Sequence, residues 1–459
     1  MTLPNNIGLD QRSPLTMQLT AYEAKFHAWW HERGPAEFLD LPMRLRVPTG
    51  AVTGAEWAAY TVLRPNDYRW GLYSAPTETE QISFGEHRGH KVWNEAPSEY
   101  RMLLLQHICA QADVENAAVE QSRMLTATVP GFVDLENLFQ FYLEEGRHTW
   151  AMVHLLLAYF GSDGAAEAHA LLERMSGDAD NPRLLDAFNY PTDDWLSHFL
   201  WCFLADRVGK FQVNAVARCA FAPLARAARF MRFEEPLHIA FGVFGLERVL
   251  ISSARAAQRW GVDRGFAAGA IPLTVVQKYL NYWVPKNYDL FGDDDSEHAY
   301  NLLRAGIRIP RNFVEDEEAV VSIDARLGGQ IVQTEIAAEW GTNTIMRRQF
   351  ILEVQKTVDR WNGYLQTMAL DFQLYLPHER FGRSFGPCAG LPFDVDGNLL
   401  RGDPEAKRAE YFPTAAERAN VRSLMERELR PGHCAPWIAP PRARVDMVPG
   451  SRDEPMRNR

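Results

Sequence analysis

The sequence predicts a mainly helical protein, in which four long helices form a bundle with N- and C-terminal extensions and a small β-hairpin. Three observations lead to this prediction. Apolar residues recur at steps of three and four over four long stretches, these stretches come as two consecutive pairs, and each pair places acidic and histidine residues on an otherwise apolar face. The predicted bundle helices are 97–128, 135–160, 195–220 and 223 to about 260.

Two copies of a Glu-x-x-His motif lie in the second and fourth of these helices. On a helix, residues at i and i+3 point the same way, so each motif directs a carboxylate and an imidazole to one side. An acidic residue precedes the first motif by 30 residues and the second by 29 residues, which is one helix and one loop in each case. The six residues are Glu115, Glu145, His148, Asp206, Glu235 and His238.

This pattern is the ligand set of ferritin-like di-iron or di-manganese bundles, in which one helix of each pair gives a carboxylate and the other gives Glu-x-x-His. Four carboxylates would balance the charge of two divalent ions. Without metal, four carboxylates facing one core would be costly to bury. Oxygen and nitrogen donors without thiolates suit iron or manganese better than copper(I) or a zinc–sulfur site. The sequence therefore predicts a two-metal site in a ferritin-like fold.

The competing choices of ligand are Glu120 for Glu115, Glu144 for Glu145 and Glu234 for Glu235. Only the second member of each Glu-Glu pair has a histidine three residues later, so we expect Glu144 and Glu234 to lie outside the ligand set, beside it or in solvent. Gln111 lies one turn before Glu115 on the same face. Two interpretations are open for it, a residue that hydrogen-bonds a ligand or guards a coordination position, and an ordinary buried glutamine.

Three residues in the fourth helix, Pro236, Gly242 and Gly245, affect the shape and packing expected for it. Pro236 stands between Glu235 and His238, where a missing N–H predicts a kink or a bulge. Gly242 and Gly245 follow on the metal-facing stripe. They either leave room for substrate or dioxygen, or they allow a close helix crossing, and the sequence favours neither.

A group of arginines near the start of the fourth helix predicts a basic face. This face can contact an anionic group such as a phosphate, although a solvated surface is the favoured interpretation. Glycine-rich nucleotide motifs are absent from the sequence, so we do not expect this chain itself to bind the nucleotide that supplies electrons. The arginines are Arg218, Arg226, Arg229 and Arg232.

The rest of the chain predicts additions to the bundle. We expect four stretches: an N-terminal wrapping segment (1–95), the ferritin-like bundle (96–260), additional helices with a β-hairpin (261–385), and an irregular C-terminal segment (386–459). Further helices are predicted at 19–33, 165–174, 271–303, 342–372 and 415–428, extended or turn segments at 43–47 and 67–71, a hairpin at 320–336 turned at Gly328-Gly329, and a loosely held tail at 446–459.

Composition excludes several classes of function. A net charge of −11 and a pI near 5.7 argue against a general nucleic-acid binder. The five cysteines form no Cys-x-x-Cys pair, so they predict neither a disulfide framework nor an iron–sulfur cluster. The first residues lack a signal-peptide pattern, and no apolar run suggests a membrane anchor. We therefore expect a cytoplasmic protein.

Several motifs along most of the chain resemble one known family, the oxygenase components of benzoyl-CoA 2,3-epoxidase, which are di-iron enzymes of aerobic benzoate degradation. The motifs are Pro4-Asn5-Asn6, Asp67-Tyr68-Arg69-Trp70-Gly71, Val119-Glu120-Gln121, Asn137-Leu138-Phe139-Gln140, Glu144-Glu145-Gly146-Arg147-His148, Ser176-Gly177-Asp178-Ala179-Asp180-Asn181-Pro182-Arg183, Asp206-Arg207 with Gly209-Lys210-Phe211-Gln212, and Trp437-Ile438-Ala439-Pro440-Pro441.

The resemblance implies that the family's iron ligands fall on the same six residues, and that its active-site glutamine falls on Gln111. It also implies that two iron ions activate dioxygen, that one oxygen atom enters the 2,3 bond of the aromatic acyl-CoA, and that the other becomes water. Electrons would come from NADPH through a separate flavin and iron–sulfur reductase. The sequence departs from the family at Pro236-Leu237 and over much of 240–345.

Other functions fit the same six residues. A related enzyme acting on another acyl thioester, or an arylamine N-oxygenase, would keep the ligand set. A metal-storage bundle is an alternative from another class, against which the long extensions count. A radical-generating ribonucleotide reductase subunit is the weakest alternative, because Met152 stands where that family has a tyrosine.

Overall fold

The structure is a computed structural model, which describes residues 10–37, 81–82, 85–91, 95–311, 313 and 318–441. The expectations for 43–47, 67–71 and 446–459, and for most of the N-terminal wrapping segment, lie outside the described residues. The mainly helical prediction is confirmed, and so is the small two-stranded hairpin. The division of the chain into four stretches stays a prediction.

Short connections join the helices over residues 98–304, apart from the segment 174–194, whereas longer segments separate these helices from the helix that ends at Arg33 and from the helix that begins at Thr342. Helix α1 begins earlier than the sequence predicted, because Ser13 caps it with its side chain and Pro14 occupies the first turn. The helices are α1 (Pro14–Arg33), α2 (Ser98–Gln121), α3 (Phe132–Tyr159), α4 (Gly161–Glu173), α5 (Trp195–Val216), α6 (Ala222–Trp260), α7 (Leu273–Asp289), α8 (Glu297–Arg304), α9 (Thr342–Thr367), α10 (Pro404–Tyr411) and α11 (Ala415–Leu424).

Helices α2, α3, α5 and α6 are the four bundle helices that the periodicity predicted. The most extensive helix–helix packing joins α5 to α6 and α2 to α3, so the two pairs along the chain are also pairs in space. Large, fully buried side chains pack on these helices: Trp195 contacts Phe199 and Phe241, and Trp150 packs against Tyr22 and Phe26 of α1. The core is therefore dry enough for polar residues within it to need specific partners.

The two glycines in α6 allow α5 to approach closely. A Cβ atom on Gly242 would lie 2.4 Å from the backbone nitrogen of Phe203, and one on Gly245 would lie 2.3 Å from the ring of Phe199. Both distances are below any real carbon contact. The interpretation as a close helix crossing is therefore the correct one, and the space beside these glycines is filled by α5.

Helix α6 continues through Pro236 as one element, so the expected bulge is absent from Ala222–Trp260, all of which is described. The physical reason is that Pro236 lies on the exposed side of the helix. Pro236 and Arg232 are both exposed, so the carbonyl that loses its helical hydrogen bond faces the solvent side of the helix, where water can bind it.

Among the described residues, α6 is the one helix long and apolar enough to cross a membrane. Its most apolar 18-residue window has a mean hydropathy of 1.4, but 78% of that window is buried inside the protein. A helix at the centre of a bundle is expected to have this composition.

The helix predicted over 271–303 is present as two helices, α7 and α8, with a break between them that was not predicted. The chain leaves α7 at Asp289, turns through Gly292 with φ of +90°, and restarts at α8, where the Ser296 side chain accepts a hydrogen bond from the backbone of Ala299. A left-handed glycine followed by a serine cap is a stop and a start signal. The apolar periodicity on both sides of the break concealed it.

The predicted hairpin is confirmed. Strands β1 (Val320–Leu327) and β2 (Gln330–Ala337) are antiparallel, and Leu327 pairs with Gln330. The two turn residues, Gly328 and Gly329, have φ of +56° and +81°, as the tight hairpin turn requires. The short helix α10 was not predicted, whereas the predicted α11 is present and begins with a capping box.

We predict that Gly242→Ala destabilises the protein, because the new methyl group would overlap the backbone of α5. The expected loss is about 1–3 kcal/mol in the free energy of unfolding, measured by chemical denaturation. Gly363→Ala in α9 is the matched control, since its Cβ would meet nothing within 4 Å. That control should gain about 0.8–1 kcal/mol through helix propensity. Equal stability of Gly242→Ala and the parent would contradict the close crossing.

Candidate metal centre

All six residues predicted from the spacing converge at one place in the core of the bundle. Helix α2 carries one of them, α5 carries another, and α3 and α6 each carry a Glu-x-x-His pair. None is more than 8% exposed. Five of them form two overlapping groups whose ligand atoms lie within 4.8 Å of one another: Glu115, Glu145 and His148, and Glu145, Asp206 and His238. Glu235 belongs to neither group, but its carboxylate lies 3.9 Å from His148 Nδ1.

Both histidines turn their Nδ1 atoms toward the carboxylates. His148 Nδ1 lies 3.3 Å from Glu115, 3.9 Å from Glu145 and 3.9 Å from Glu235. His238 Nδ1 lies 3.0 Å from the other oxygen of Glu145. Glu145 therefore stands between the two imidazoles, whose ring centres are 6.2 Å apart.

The opposite ring atoms contact a second layer of carboxylates in a crossed arrangement. His148 Nε2 lies 2.9 Å from Glu234 on α6, and His238 Nε2 lies 2.8 Å from Glu144 on α3. An ionised carboxylate can only accept, so each Nε2 must donate the proton. Nδ1 is therefore the ring atom that faces the cluster, and a metal would bind it there once the Nδ1 proton is lost.

Glu144 and Glu234 thus lie beside the ligand set, as the sequence predicted. The crossing was not predicted: the first glutamate of each Glu-Glu pair serves the histidine of the other motif. Glu144 also accepts a hydrogen bond of 2.7 Å from Gln140, and Glu234 forms an ion pair with the fully buried Arg147. The doubled glutamate before each motif was the available signal.

The protonation of the cluster shows the cost of assembling it without cations. Burial, reinforced by Glu115, raises the pKa of Glu145 and Asp206 well above the ordinary range, and burial does the same to the pKa of Glu235. Burial lowers the pKa of His148, but Glu115 and Glu234 outweigh it and raise that pKa to about 10. The carboxylates can therefore share this core only with added positive charge, from protons or from metal ions.

The donor set fits two divalent metal ions. Its atoms are carboxylate oxygens and imidazole nitrogens, which suit iron or manganese. Asp206 Oδ2 is buried and has no hydrogen-bond partner in the described part of the chain, so it is available to a cation. Gly209 leaves space for Glu235, because a Cβ there would lie 3.2 Å from its carboxylate oxygen.

The structure also shows where three neighbouring residues lie: Gln111, Glu120 and Cys202. Gln111 is half-buried and donates a hydrogen bond of 2.5 Å to Glu115, so it does contact a predicted ligand. Glu120, the alternative to Glu115, instead accepts hydrogen bonds from Arg183. Cys202, one turn before Asp206, lies close enough to that carboxyl group to lower its pKa, against the larger effect of burial. Sequence reasoning missed this contact, although the four-residue spacing on one helix indicated it.

The arginines near the start of α6 are mostly on the surface. Three are exposed and one is half-buried, in agreement with the favoured prediction of a solvated basic face. The exposed residues are Arg218, Arg229 and Arg232, and the half-buried one is Arg226.

Fold and site together define a class of protein: a helical bundle with a buried carboxylate–histidine centre able to hold metal ions. No protein-family model matches the chain. The chain is 40% identical, over 458 aligned residues covering 97% of each sequence, to benzoyl-CoA oxygenase component B of Aromatoleum evansii. The protein therefore belongs to the benzoyl-CoA oxygenase component B family, and the resemblance seen in the motifs is confirmed.

We predict that Glu144→Gln weakens metal binding about 10- to 100-fold, because the amide cannot offer His238 Nε2 the charge of a carboxylate. Equilibrium dialysis of anaerobic ferrous iron against a competing chelator measures this directly. Glu136→Gln makes the same change at an exposed position of α3 and should bind iron as the parent does. If Glu144→Gln also binds iron normally, the outer carboxylates do not tune the histidines.

Proposed function

We propose that this chain is the oxygenase component of a di-iron monooxygenase. It inserts one atom of dioxygen into the aromatic ring of benzoyl-CoA to give the 2,3-epoxide. The observation that carries the proposal is the buried cluster of four carboxylates and two histidines, in a chain 40% identical to a protein named benzoyl-CoA oxygenase component B. The product and the position of attack come from the family resemblance.

The metal ligands of this proposal are Glu115, Glu145, His148, Asp206, Glu235 and His238. Two bound iron ions would supply the electrons and the coordination positions with which dioxygen is reduced. Glu144 and Glu234 hold the imidazoles in the tautomer that presents Nδ1. This arrangement fixes the two rings before any metal arrives.

Gln111 has a proposed role at the edge of the active site. Its amide donates to one oxygen of Glu115, which leaves the other oxygen of that carboxylate for a metal. As a half-buried residue it also stands between the cluster and the less buried end of α2. The apolar packing around both histidines, which includes Phe141 and Phe230, excludes water from the centre.

Electrons would come from a separate protein. The relative is named a component, which supports a partner, and the family resemblance supports an NADPH-oxidising reductase with flavin and iron–sulfur groups. The reaction then balances as benzoyl-CoA, dioxygen, NADPH and one proton giving the epoxide, water and NADP⁺. A cytoplasmic location suits free cysteines and a soluble nucleotide as reductant.

The test is a single turnover by iron-loaded protein, reduced chemically and mixed with benzoyl-CoA and ¹⁸O₂. We expect about two irons per chain, and mass spectrometry should find one ¹⁸O atom in the product and the other in water. Asp206→Asn should abolish the labelled product, whereas Glu136→Gln should retain it.

Three outcomes would contradict the proposal. Labelling of another acyl thioester but not of benzoyl-CoA would indicate a related oxygenase. Oxidation of an aminobenzoate at nitrogen would indicate an arylamine oxygenase. Continued uptake of iron beyond two per chain, with no oxygen transferred, would indicate metal storage.

A further inference from the structure

Arg308 is a buried cation with two neutral partners. It is 7% exposed. Its Nε donates to Gln212 at 2.8 Å, and its Nη1 donates to Asn343 at 2.7 Å. Within the part of the chain that the structure describes, no carboxylate lies within ion-pair distance of it. Burial lowers the pKa of Arg308 only to about 10, so it is positively charged at neutral pH.

This environment sets Arg308 apart from the other buried arginines. Every one of them in the described ranges forms an ion pair with a carboxylate, as expected from the cost of burying an unbalanced charge. These paired residues are Arg147, Arg183, Arg207, Arg248, Arg347 and Arg383. Among the described residues, Arg308 thus lacks the carboxylate that each of the others has, and a bound anion would balance its charge.

The guanidinium group is held in a fixed orientation. The side-chain amide of Asn343 donates to the backbone carbonyl of Asp293 at 2.9 Å, so its oxygen is directed to Arg308. Gln212 fixes the opposite side through Nε. Among the residues that the structure describes, none accepts a hydrogen bond from the Nη2 atom of Arg308. One edge of a rigid, planar donor is thus available to a ligand.

Arg308 lies toward the end of the bundle where α2 begins and α5 ends, beside Gln212 and His107. Its partner Gln212 follows Asp206 by six residues of α5, which is about 9 Å along the helix. On α2, Gln111 and His107 lie one and two turns before Glu115. The Nε2 atom of His107 is buried with no hydrogen-bond partner among described residues, and burial together with the charge of Arg308 lowers its pKa to about 3. A neutral imidazole therefore stands between the two sites.

The surface is close to Arg308. The segment that contains it runs along the turn between α5 and α6, where Ile309 donates its backbone N–H to Ala215 at 3.2 Å. Arg218, an exposed residue of that turn, donates to the backbone carbonyl of Pro310. A ligand that reaches from solvent to the metal centre along this end would pass a surface cation and then a buried one.

We propose that Arg308, with His107 beside it, binds a phosphate group of the coenzyme A arm while the acyl group lies at the metal centre. The identity of the ligand rests on the proposed function, whereas the preference for an oxyanion rests on the buried, unbalanced guanidinium. Arginine suits this role because its planar edge can give two parallel hydrogen bonds to a phosphate.

The test compares Arg308→Gln with Arg264→Gln, which removes the same charge from an exposed position beyond the far end of α6. Isothermal titration of iron-loaded protein under nitrogen measures binding of coenzyme A, pyrophosphate and pantetheine. We expect Arg308→Gln to bind coenzyme A and pyrophosphate about tenfold more weakly or worse. Pantetheine, which lacks phosphate, should bind equally to all variants, and Arg264→Gln should match the parent.

Thermal unfolding and iron content separate this role from a structural one. Arg308→Gln also removes the hydrogen bonds to Gln212 and Asn343, so a fold effect would lower the melting temperature, the iron content and the binding of all three ligands together. Loss of a phosphate contact should weaken only coenzyme A and pyrophosphate, and Arg308→Lys should recover part of the coenzyme A affinity. Unchanged binding of coenzyme A by Arg308→Gln, or an equal loss for pantetheine, would overturn the proposal. If the parent binds coenzyme A through Arg308 but never oxidises benzoyl-CoA, the proposed reaction fails and the phosphate site stands.

Discussion

Mutual repulsion among carboxylates in a dry core is the constraint on which the rest of the structure depends. Six acidic groups surround two imidazoles at the centre of the bundle, where like charges about 4 Å apart repel by about 4 kcal/mol at an effective dielectric constant of 20. Ordinary packing cannot offset several such terms in a protein whose total stability is of the order of 5–15 kcal/mol. Protons or bound cations must supply the balance, and the proposed metal ions would do so at the centre of the cluster.

Helices on both sides of the cluster position the residues that surround these carboxylates. Helices α3 and α6 each contribute a Glu-Glu-x-x-His segment, and the crossed contacts through Glu144 and Glu234 join the two helices at the level of the cluster. Gly242 brings α5 against α6, and Gly209 leaves room for the carboxylate of Glu235. Arg308 carries the opposite charge, so in the proposed complex a phosphate of the substrate would be attracted to it while the acyl group lay at the cluster.

Much of this organisation can be read from the sequence because it is local or repeated. Periodicity located the bundle helices, two adjacent glycines located the hairpin turn, and matched spacing brought out the six cluster residues. The crossed pairing could not be predicted, since it depends on the relative rotation of two helices about ninety residues apart. The sequence shows only that Gly242 lacks a side chain, and it does not distinguish space for a ligand from close contact with the backbone of another helix. Arg308 gave no signal, because its burial comes from separate segments that meet only in the fold.

The central claim is that the six converging side chains share two metal ions. Anomalous diffraction from crystals loaded with ferrous iron under nitrogen, recorded above and below the iron absorption edge, tests it most directly. The account predicts two peaks about 3.5–4 Å apart, each within bonding distance of Glu145 and of one histidine Nδ1. No peak in the core, or iron bound only at exposed carboxylates, would contradict it.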